Sequence, residues 1–273
     1  MNTLFDLRVR CEERRAGAAR DTLRDIHAGI RTLEEELSEF LPASPVARLN
    51  TASPGERVAA PPVLWELFQM AERLRETTGG AFDATAKGTG AISADFPTRT
   101  LWRESPGARL GFGAIGKGFA IDRVRERVER DGFEHYLLNA GGSSLALRGS
   151  AGDGPWRWAW SWEKGARSGV SFVHDSQQAV AIGVSGDEEQ PGHIRRARPA
   201  GLRSALVALA GAAEADALST ALFAAGWEDA SPFLRETASA GIGHDGFPVW
   251  NGLFQKYWGG VPTLSPSSGE ETS

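Results

Sequence analysis

Two stretches of the chain bring together groups that could bind an anion and a hard cation. The first is Arg109-Leu110-Gly111-Phe112-Gly113-Ala114-Ile115-Gly116-Lys117-Gly118-Phe119-Ala120-Ile121-Asp122, with four glycines in eight residues followed by a helical pattern. Glycine lets backbone approach a ligand closely. A helix that starts directly after such a turn presents free N–H groups and a positive dipole end to an anion. A phosphate or pyrophosphate fits that description, and so does plain tight packing of backbone on backbone. No Gly-x-x-x-x-Gly-Lys-Ser/Thr loop is present. The second stretch is Glu214-Ala215-Asp216-Ala217-Leu218-Ser219-Thr220. Asp216 and Thr220 lie four apart on a helix and face the same way. Two oxygens one turn apart suit magnesium, which takes octahedral oxygen and keeps waters and substrate phosphates. Standing alone, such a pair is more often a solvated helix face.

The elements that must position these groups follow from hydrophobic spacing. Leu23, Ile26, Ile30, Leu33 and Leu37 recur at three and four, predicting an amphipathic helix over Ala18–Glu39. Pro61-Pro62 opens a second helix, Pro62–Thr77, with Val63, Leu67, Met70 and Leu74 on one face. Helices are also expected over Lys117–Arg130, Glu214–Gly226 and, from a serine cap, Ser231–Ala238. Strands are read at Thr3–Arg10, Tyr136–Leu138, Leu145–Leu147, Val170–Val173, Ala179–Val184, Ser204–Leu209 and Phe247–Trp250. Trp156, Trp158, Trp160 and Trp162 alternate with other residues, so they share one sheet face. A ligand platform and a covered sheet face both fit, and the strand preference of aromatics favours the covered face. The mixture predicts an α+β domain over residues 1–260, and the serine, glutamate and proline content of 261–273 predicts a disordered tail.

Composition narrows the field. Of the 273 residues 41% are hydrophobic, enough for a real core, and the net charge of −5 comes with no long run of either sign. Neither nucleic acid nor an anionic membrane is favoured as a partner. The single cysteine, Cys11, excludes an intrachain disulfide and a cysteine-built metal site, leaving it a packing role. No stretch has the apolar length of a membrane span, and the first ten residues lack the apolar region of a signal peptide. The chain as it stands is expected in the cytoplasm, or in the periplasm or on a membrane if a leader has been removed.

Together these motifs resemble the FAD:protein FMN transferase family, the ApbE-type enzymes. That family reads Leu-Asp-Leu-Gly-Gly-Ile-Ala-Lys-Gly-Tyr-Ala-Val-Asp where this chain has residues 110–122, followed by a strand ending in Gly-Gly-Asp, here Gly141-Gly142-Ser143. Gly79-Gly80-Ala81-Phe82-Asp83-Ala84-Thr85 is similar to the family's Gly-Gly-Ala-Phe-Asp-Pro-Thr nearly residue for residue. Residues 37–50 resemble a Ser-Thr-Tyr-x-Pro-x-Ser-Glu-Ile-Ser-Arg-Leu-Asn segment, keeping Phe40, Ser44, Arg48, Leu49 and Asn50, with Pro45 at the glutamate. Phe40 could stack on a flat ring or be the core end of its helix. The opening Met1-Asn2-Thr3-Leu4-Phe5 resembles Met-Gly-Thr-Thr-Phe, and Ser185-Gly186-Asp187 resembles the end of Thr-Ser-Gly-Asp.

The resemblance implies a single T-fold-related α+β domain with a mixed, largely antiparallel sheet and packed helices. It implies transfer of FMN from FAD to a serine or threonine hydroxyl of an acceptor flavoprotein or electron-transfer subunit, with AMP released and Mg2+ as cofactor. Site residues carry over as Met1, Phe40, Ala81, Phe82, Asp83, Gly111, Lys117 and Ile194 for FAD. The Asp216 and Thr220 side chains with the Ala114 carbonyl carry over for the metal, and His193 as base. Departures are visible as well. Gly111 and Ser143 stand where the family has aspartates, and Arg195, Arg196 and Arg198 surround the place of the Asp-Pro pair that follows the family histidine. Nearby positive charge would keep His193 neutral, and the arginines could hold a diphosphate. The lost aspartates leave two further readings open: a non-catalytic FAD-binding relative, and a magnesium-dependent FAD hydrolase giving FMN and AMP.

Overall fold

The computed structural model describes residues 3–161, 169–186, 201–230 and 232–258. The chain opens with strand β1 (Phe5–Arg10) and helix α1 (Ala16–Leu37). Helix α1 starts and ends two residues before the expected bounds, because Ser38 turns extended after its N–H reaches back to Glu34. A helix that periodicity does not announce follows, α2 (Pro45–Thr51), capped by Ser44 Oγ accepting from the Ala47 N–H at 3.0 Å, with Pro45 at the first position. Next come β2 (Val58–Ala59), α3 (Pro62–Thr77), β3 (Ile92–Asp95) and β4 (Thr100–Arg103). Helix α4 (Gly116–Arg130) leads into β5 (His135–Ala140) and β6 (Ser144–Gly149). Strands β7 (Trp156–Ser161), β8 (Gly169–His174), β9 (Ser176–Gly186) and β10 (Leu202–Leu209) precede α5 (Ala212–Ala225). The chain closes with α6 (Trp227–Ala230), β11 (Ala238–Gly243), β12 (Pro248–Trp250) and α7 (Gly252–Trp258).

A seven-stranded sheet in the order β1-β5-β6-β9-β10-β11-β12 forms the floor, and its described pairs are all antiparallel. One face carries the helices. Ile26 of α1, Ile121, Val124 and Val128 of α4, and Tyr136, Leu138 and Ala146 of the sheet form one buried cluster there. A second cluster joins α2, α3 and α5, with Leu101 of the small β2-β4-β3 sheet closing it. On the opposite face, Trp156, Trp160 and Phe172 of the β7–β8 ribbon pack on Leu145, Ile182 and Leu206. Period two holds for the tryptophans, and their face is a covered one, on a separate ribbon. The indole N–H of Trp160 donates to Ser204 Oγ and that of Trp156 to the Arg148 carbonyl, both at 3.0 Å, tying the ribbon to the floor. Trp162 lies outside the described residues, as does the tail.

The expected helix over Ser231–Ala238 is not formed. Gly226, with φ 84°, ends α5, a single short helix restarts at Trp227, and Ala238 already begins a strand. The Asn251 amide fixes that switch, donating to the Thr237 carbonyl at 2.7 Å and accepting from the Ser239 N–H at 3.2 Å. Cys11 is half-buried just after β1 and packs on the α1–α4 cluster. Among the described residues no helix is long and apolar enough to cross a membrane.

Candidate active site

The glycine-rich turn is held from three sides. The buried Asn50 side chain, from α2, pairs with Leu110 as a second peptide would: its Nδ2 donates to the Leu110 carbonyl and its Oδ1 accepts the Leu110 N–H, both at 2.7 Å. The Gly111 N–H donates to the Ala84 carbonyl at 2.9 Å, which ties the turn to the Gly79–Thr85 segment. There Asp83 Oδ1 accepts from the Thr85 N–H at 2.7 Å and its hydroxyl at 2.8 Å, while the Phe82 side chain is buried in the core. Gly118 packs so closely on α5 that a Cβ would overlap the Ala212 carbonyl and stand 2.8 Å from Ala213 Cα. Packing and ligand access, the two uses a glycine turn can have, are therefore divided along it, with Gly118 packed on backbone and Gly111 and Gly113 facing only side chains.

Helix α5 is buried nearly all round, and its alanines let it sit on the sheet. Gly183 of β9 makes that approach possible, because a Cβ there would overlap the Ala215 carbonyl and stand 2.5 Å from the Asp216 nitrogen. The N-cap residue of α5, Gly211, offers no side chain. Asp122 of α4 supplies the cap from 90 residues away, accepting the Ala212 N–H at 3.0 Å and the Ala213 N–H at 2.8 Å. Burial pushes the Asp122 carboxyl above the usual range, against the pull of those two amides and of Arg125.

Asp216 is 2% exposed, and its Oδ2 accepts the Gly118 N–H at 3.1 Å with Lys117 Nζ at 3.7 Å. One N–H at the start of α4 thus already faces an anion, the Asp216 carboxylate, instead of being open to a phosphate. Gly118 is the third residue of α4, where a helix leaves its N–H groups without an intrahelical partner, and the Asp216 carboxylate satisfies that one. The Ala114 carbonyl, which lies before the helix starts, has no N–H partner among the described residues. Thr220 Oγ1 donates to the Asp216 carbonyl at 3.1 Å and lies 3.0 Å from Ser185 Oγ, which is itself 2.9 Å from Ser219 Oγ. Lys117, Asp216 and Gly118 are therefore in mutual contact, with Thr220 one turn along.

A hard cation fits this donor set in part. One carboxylate, one hydroxyl and a free carbonyl are hard oxygen donors, the kind magnesium takes when substrate phosphates and water complete its shell. Among the described residues no cluster of three or more His, Cys, Asp or Glu gathers as an all-protein cage would need. Ser144 Oγ is a further polar atom in this region that the spacing did not announce. It is fully buried without a hydrogen-bond partner among the described residues, on the strand position paired with Gly183, which abuts Asp216.

Phe40 is 81% exposed, which removes the reading of it as the core end of α1. Its loop is set by Ser38 Oγ, which accepts the Phe40 and Leu41 N–H groups, both at 3.2 Å. Met1, His193 and Ile194 lie outside the described residues. Sequence reading gave no role to Asn50, Asp122, Ser185 or Ser144. Asn50, Asp122 and Ser185 act through partners distant in sequence, and only the serine and aspartate residue types hint at capping.

A model of the ApbE family matches residues 1–242. The FAD:protein FMN transferase of Escherichia coli strain K12 is 30% identical over 154 residues, which is 51% of this chain and 43% of that protein. That of Klebsiella pneumoniae strain 342 is 28% identical over a stretch of the same length. The chain thus matches less than half the length of these curated relatives. Among solved structures, the Vibrio cholerae flavin transferase ApbE superposes with a TM-score of 0.81 at 21% identity, covering 94% of this chain and 96% of that one. The apo Pseudomonas stutzeri flavinyl transferase ApbE does so with 0.78 at 22%, covering 95% and 98%. At these identities the structural likeness is one of fold, and with the family match over residues 1–242 it places the chain in the ApbE family.

Proposed function

We propose that the protein transfers FMN from FAD to a serine or threonine hydroxyl of an acceptor protein, releasing AMP, with Mg2+ as cofactor. The relatives' name, FAD:protein FMN transferase, supports the reaction class. The single observation that carries the reading is the contact at the start of α4: the buried Asp216 carboxylate takes the Gly118 N–H, with Lys117 Nζ 3.7 Å away. Asp216, Thr220 and the Ala114 carbonyl would hold the magnesium. When bound it would neutralise charge on the phosphoryl oxygens.

The chain's own residues take the remaining tasks. Lys117, 23% exposed and anchored near Asp216, supplies fixed positive charge toward a diphosphate. Phe40, held outward by the Ser38 turn, offers a face for the flavin ring, and the Ala81–Asp83 turn lines the nucleotide. The acceptor hydroxyl oxygen attacks the phosphorus of the FMN half. The bond from that phosphorus to the bridging oxygen breaks, and AMP leaves with the oxygen. His193 is assigned as the base that takes the hydroxyl proton. An electron-transfer subunit with an exposed serine or threonine is the expected acceptor.

Incubation with FAD, Mg2+ and an acceptor domain, followed by mass measurement of the acceptor, tests the proposal. The acceptor should gain one FMN, Asp216→Ala should not support the gain, and His193→Ala should lose transfer while still binding FAD. FAD cleaved with no gain in acceptor mass would mark a hydrolase. Binding with neither transfer nor cleavage would mark a non-catalytic FAD-binding protein.

A further inference from the structure

We propose that Glu39 is an FAD-contacting residue, whose carboxylate occupies the space that a side chain on Gly111 would fill. A Cβ built on Gly111 would lie 3.3 and 3.4 Å from the two Glu39 carboxylate oxygens. Gly111 has no left-handed φ and no backbone neighbour that a Cβ would strike, so its own backbone does not demand glycine. What fills the volume is a carboxylate delivered from just beyond the end of α1. That carboxylate is fixed. Its side chain is only 13% exposed, and Oε1 accepts from Lys87 Nζ at 2.7 Å. The Ser38 hydroxyl turn that follows α1 sends Phe40 outward while Glu39 reaches Lys87 and Gly111.

The chemistry then follows. Oε2 has no hydrogen-bond partner among the described residues, so an acceptor remains after Lys87 is satisfied. It stands beside the glycine turn and one residue from an exposed aromatic. A carboxylate there accepts from an N–H or O–H of the dinucleotide and disfavours ligands without that donor. The donor could be an amine or hydroxyl of the adenylate half or a hydroxyl of the flavin half. This inference rests on FAD being the ligand.

Equilibrium binding, followed by flavin fluorescence, tests it in four forms of the full chain: wild type, Glu39→Ala, Gly111→Asp, and the double variant. Glu39→Ala should weaken FAD binding on the order of tenfold or more, the loss of one charge-assisted hydrogen bond. Gly111→Asp should also weaken it, because two carboxylates would crowd one place. The double variant should bind more tightly than either single one, because the carboxylate introduced on the glycine turn then replaces the one that was removed. Competition with AMP and with FMN shows which half carries the donor, since only that half should lose affinity in Glu39→Ala. Glu39→Gln, which keeps the shape, covers the case in which the alanine variant fails to fold and should bind FAD more weakly than wild type. Wild-type affinity in Glu39→Ala or Glu39→Gln, or a double variant no tighter than the singles, overturns the inference while leaving FAD as the ligand. A wild-type protein that does not bind FAD overturns the functional reading and the inference together.

Discussion

Asp122→Ala should destabilise the protein by about 3 kcal/mol at neutral pH. The carboxylate accepts the Ala212 and Ala213 N–H groups, and those residues are 0% and 1% exposed, so both amides lose their protein acceptor when it is removed. A hydrogen bond to a charged group contributes ~1.5–3 kcal/mol and a lost N-cap ~0.5–2 kcal/mol, and two bonds from one carboxylate overlap in their effect. Asp122→Asn keeps one acceptor and should cost about half as much. Reversible urea unfolding is the assay, with the midpoint moving and the slope unchanged if compactness is preserved. Because burial raises the folded carboxyl above its unfolded value, the native state holds the proton more tightly. The Asp122 contribution is then greatest below the unfolded value and declines as pH rises through the folded one, so the gap between wild type and Asp122→Asn should narrow over that rise. A loss below about 1 kcal/mol for Asp122→Ala, or an asparagine variant as weak as the alanine one, would refute the assignment of Asp122 as the cap of α5.

Gly183→Ala should lower the thermal midpoint strongly, by an overpacking cost of about 1–3 kcal/mol or more, because the methyl meets backbone of α5. Gly29→Ala in α1, where nothing lies within 4 Å, should instead be neutral or stabilising. Thr22 and Arg127 hold the Asp131 carboxyl below its usual range, so the unfolded state binds more protons in the window between the two values. Stability from Asp131 is present above the ordinary carboxylate range and lost as pH falls through the lowered value, and Asp131→Asn should flatten that acid limb of a pH–stability curve. Phe40→Ala should leave the unfolding midpoint unchanged and weaken FAD binding by about 5- to 150-fold if the ring stacks on the flavin, as measured by fluorescence titration.

Elements with a strong period were legible in the sequence: α3 over its stated range, α1, α4 and α5 within two residues at each end, and the alternating tryptophan strand. Short elements were not. Helix α2 spans seven residues, too few for a period, and its Ser44-Pro45 start is visible only as a cap signal. The β3–β4 hairpin hides in a stretch of mixed composition because its strands are four residues long. In the candidate site, the i, i+4 spacing of Asp216 and Thr220 was readable, while Lys117 and the choice of a metal over a solvated face came from the family resemblance. What joined them was not readable, since Gly118 meets Asp216 across 98 residues and Asn50 meets Leu110 across 60. The role of Gly111 was equally hidden, because the carboxylate beside it comes from Glu39, in a different segment.

The placement of the Asp216 carboxylate follows from how α5 is held. A helix made of small residues buries little side chain per turn, so its position depends on how closely backbone can approach backbone. Gly183 below and Gly118 beside it admit that approach, and Asp122 fixes the end with two hydrogen bonds. Glycine and cap act on the first turns of α5, where Asp216 sits. The carboxylate is thus located by main-chain contacts with little rotameric freedom. Among the described residues its neighbours meet only part of its hydrogen-bonding capacity: one N–H on Oδ2, and an ammonium at 3.7 Å, beyond hydrogen-bond length. In the proposed reaction a cation would complete the set, and the Ala114 carbonyl, which precedes α4, would offer it a further oxygen. Close packing of α4 on α5 and the satisfaction of an N–H at the start of α4 meet in one contact, Gly118 N–H to Asp216.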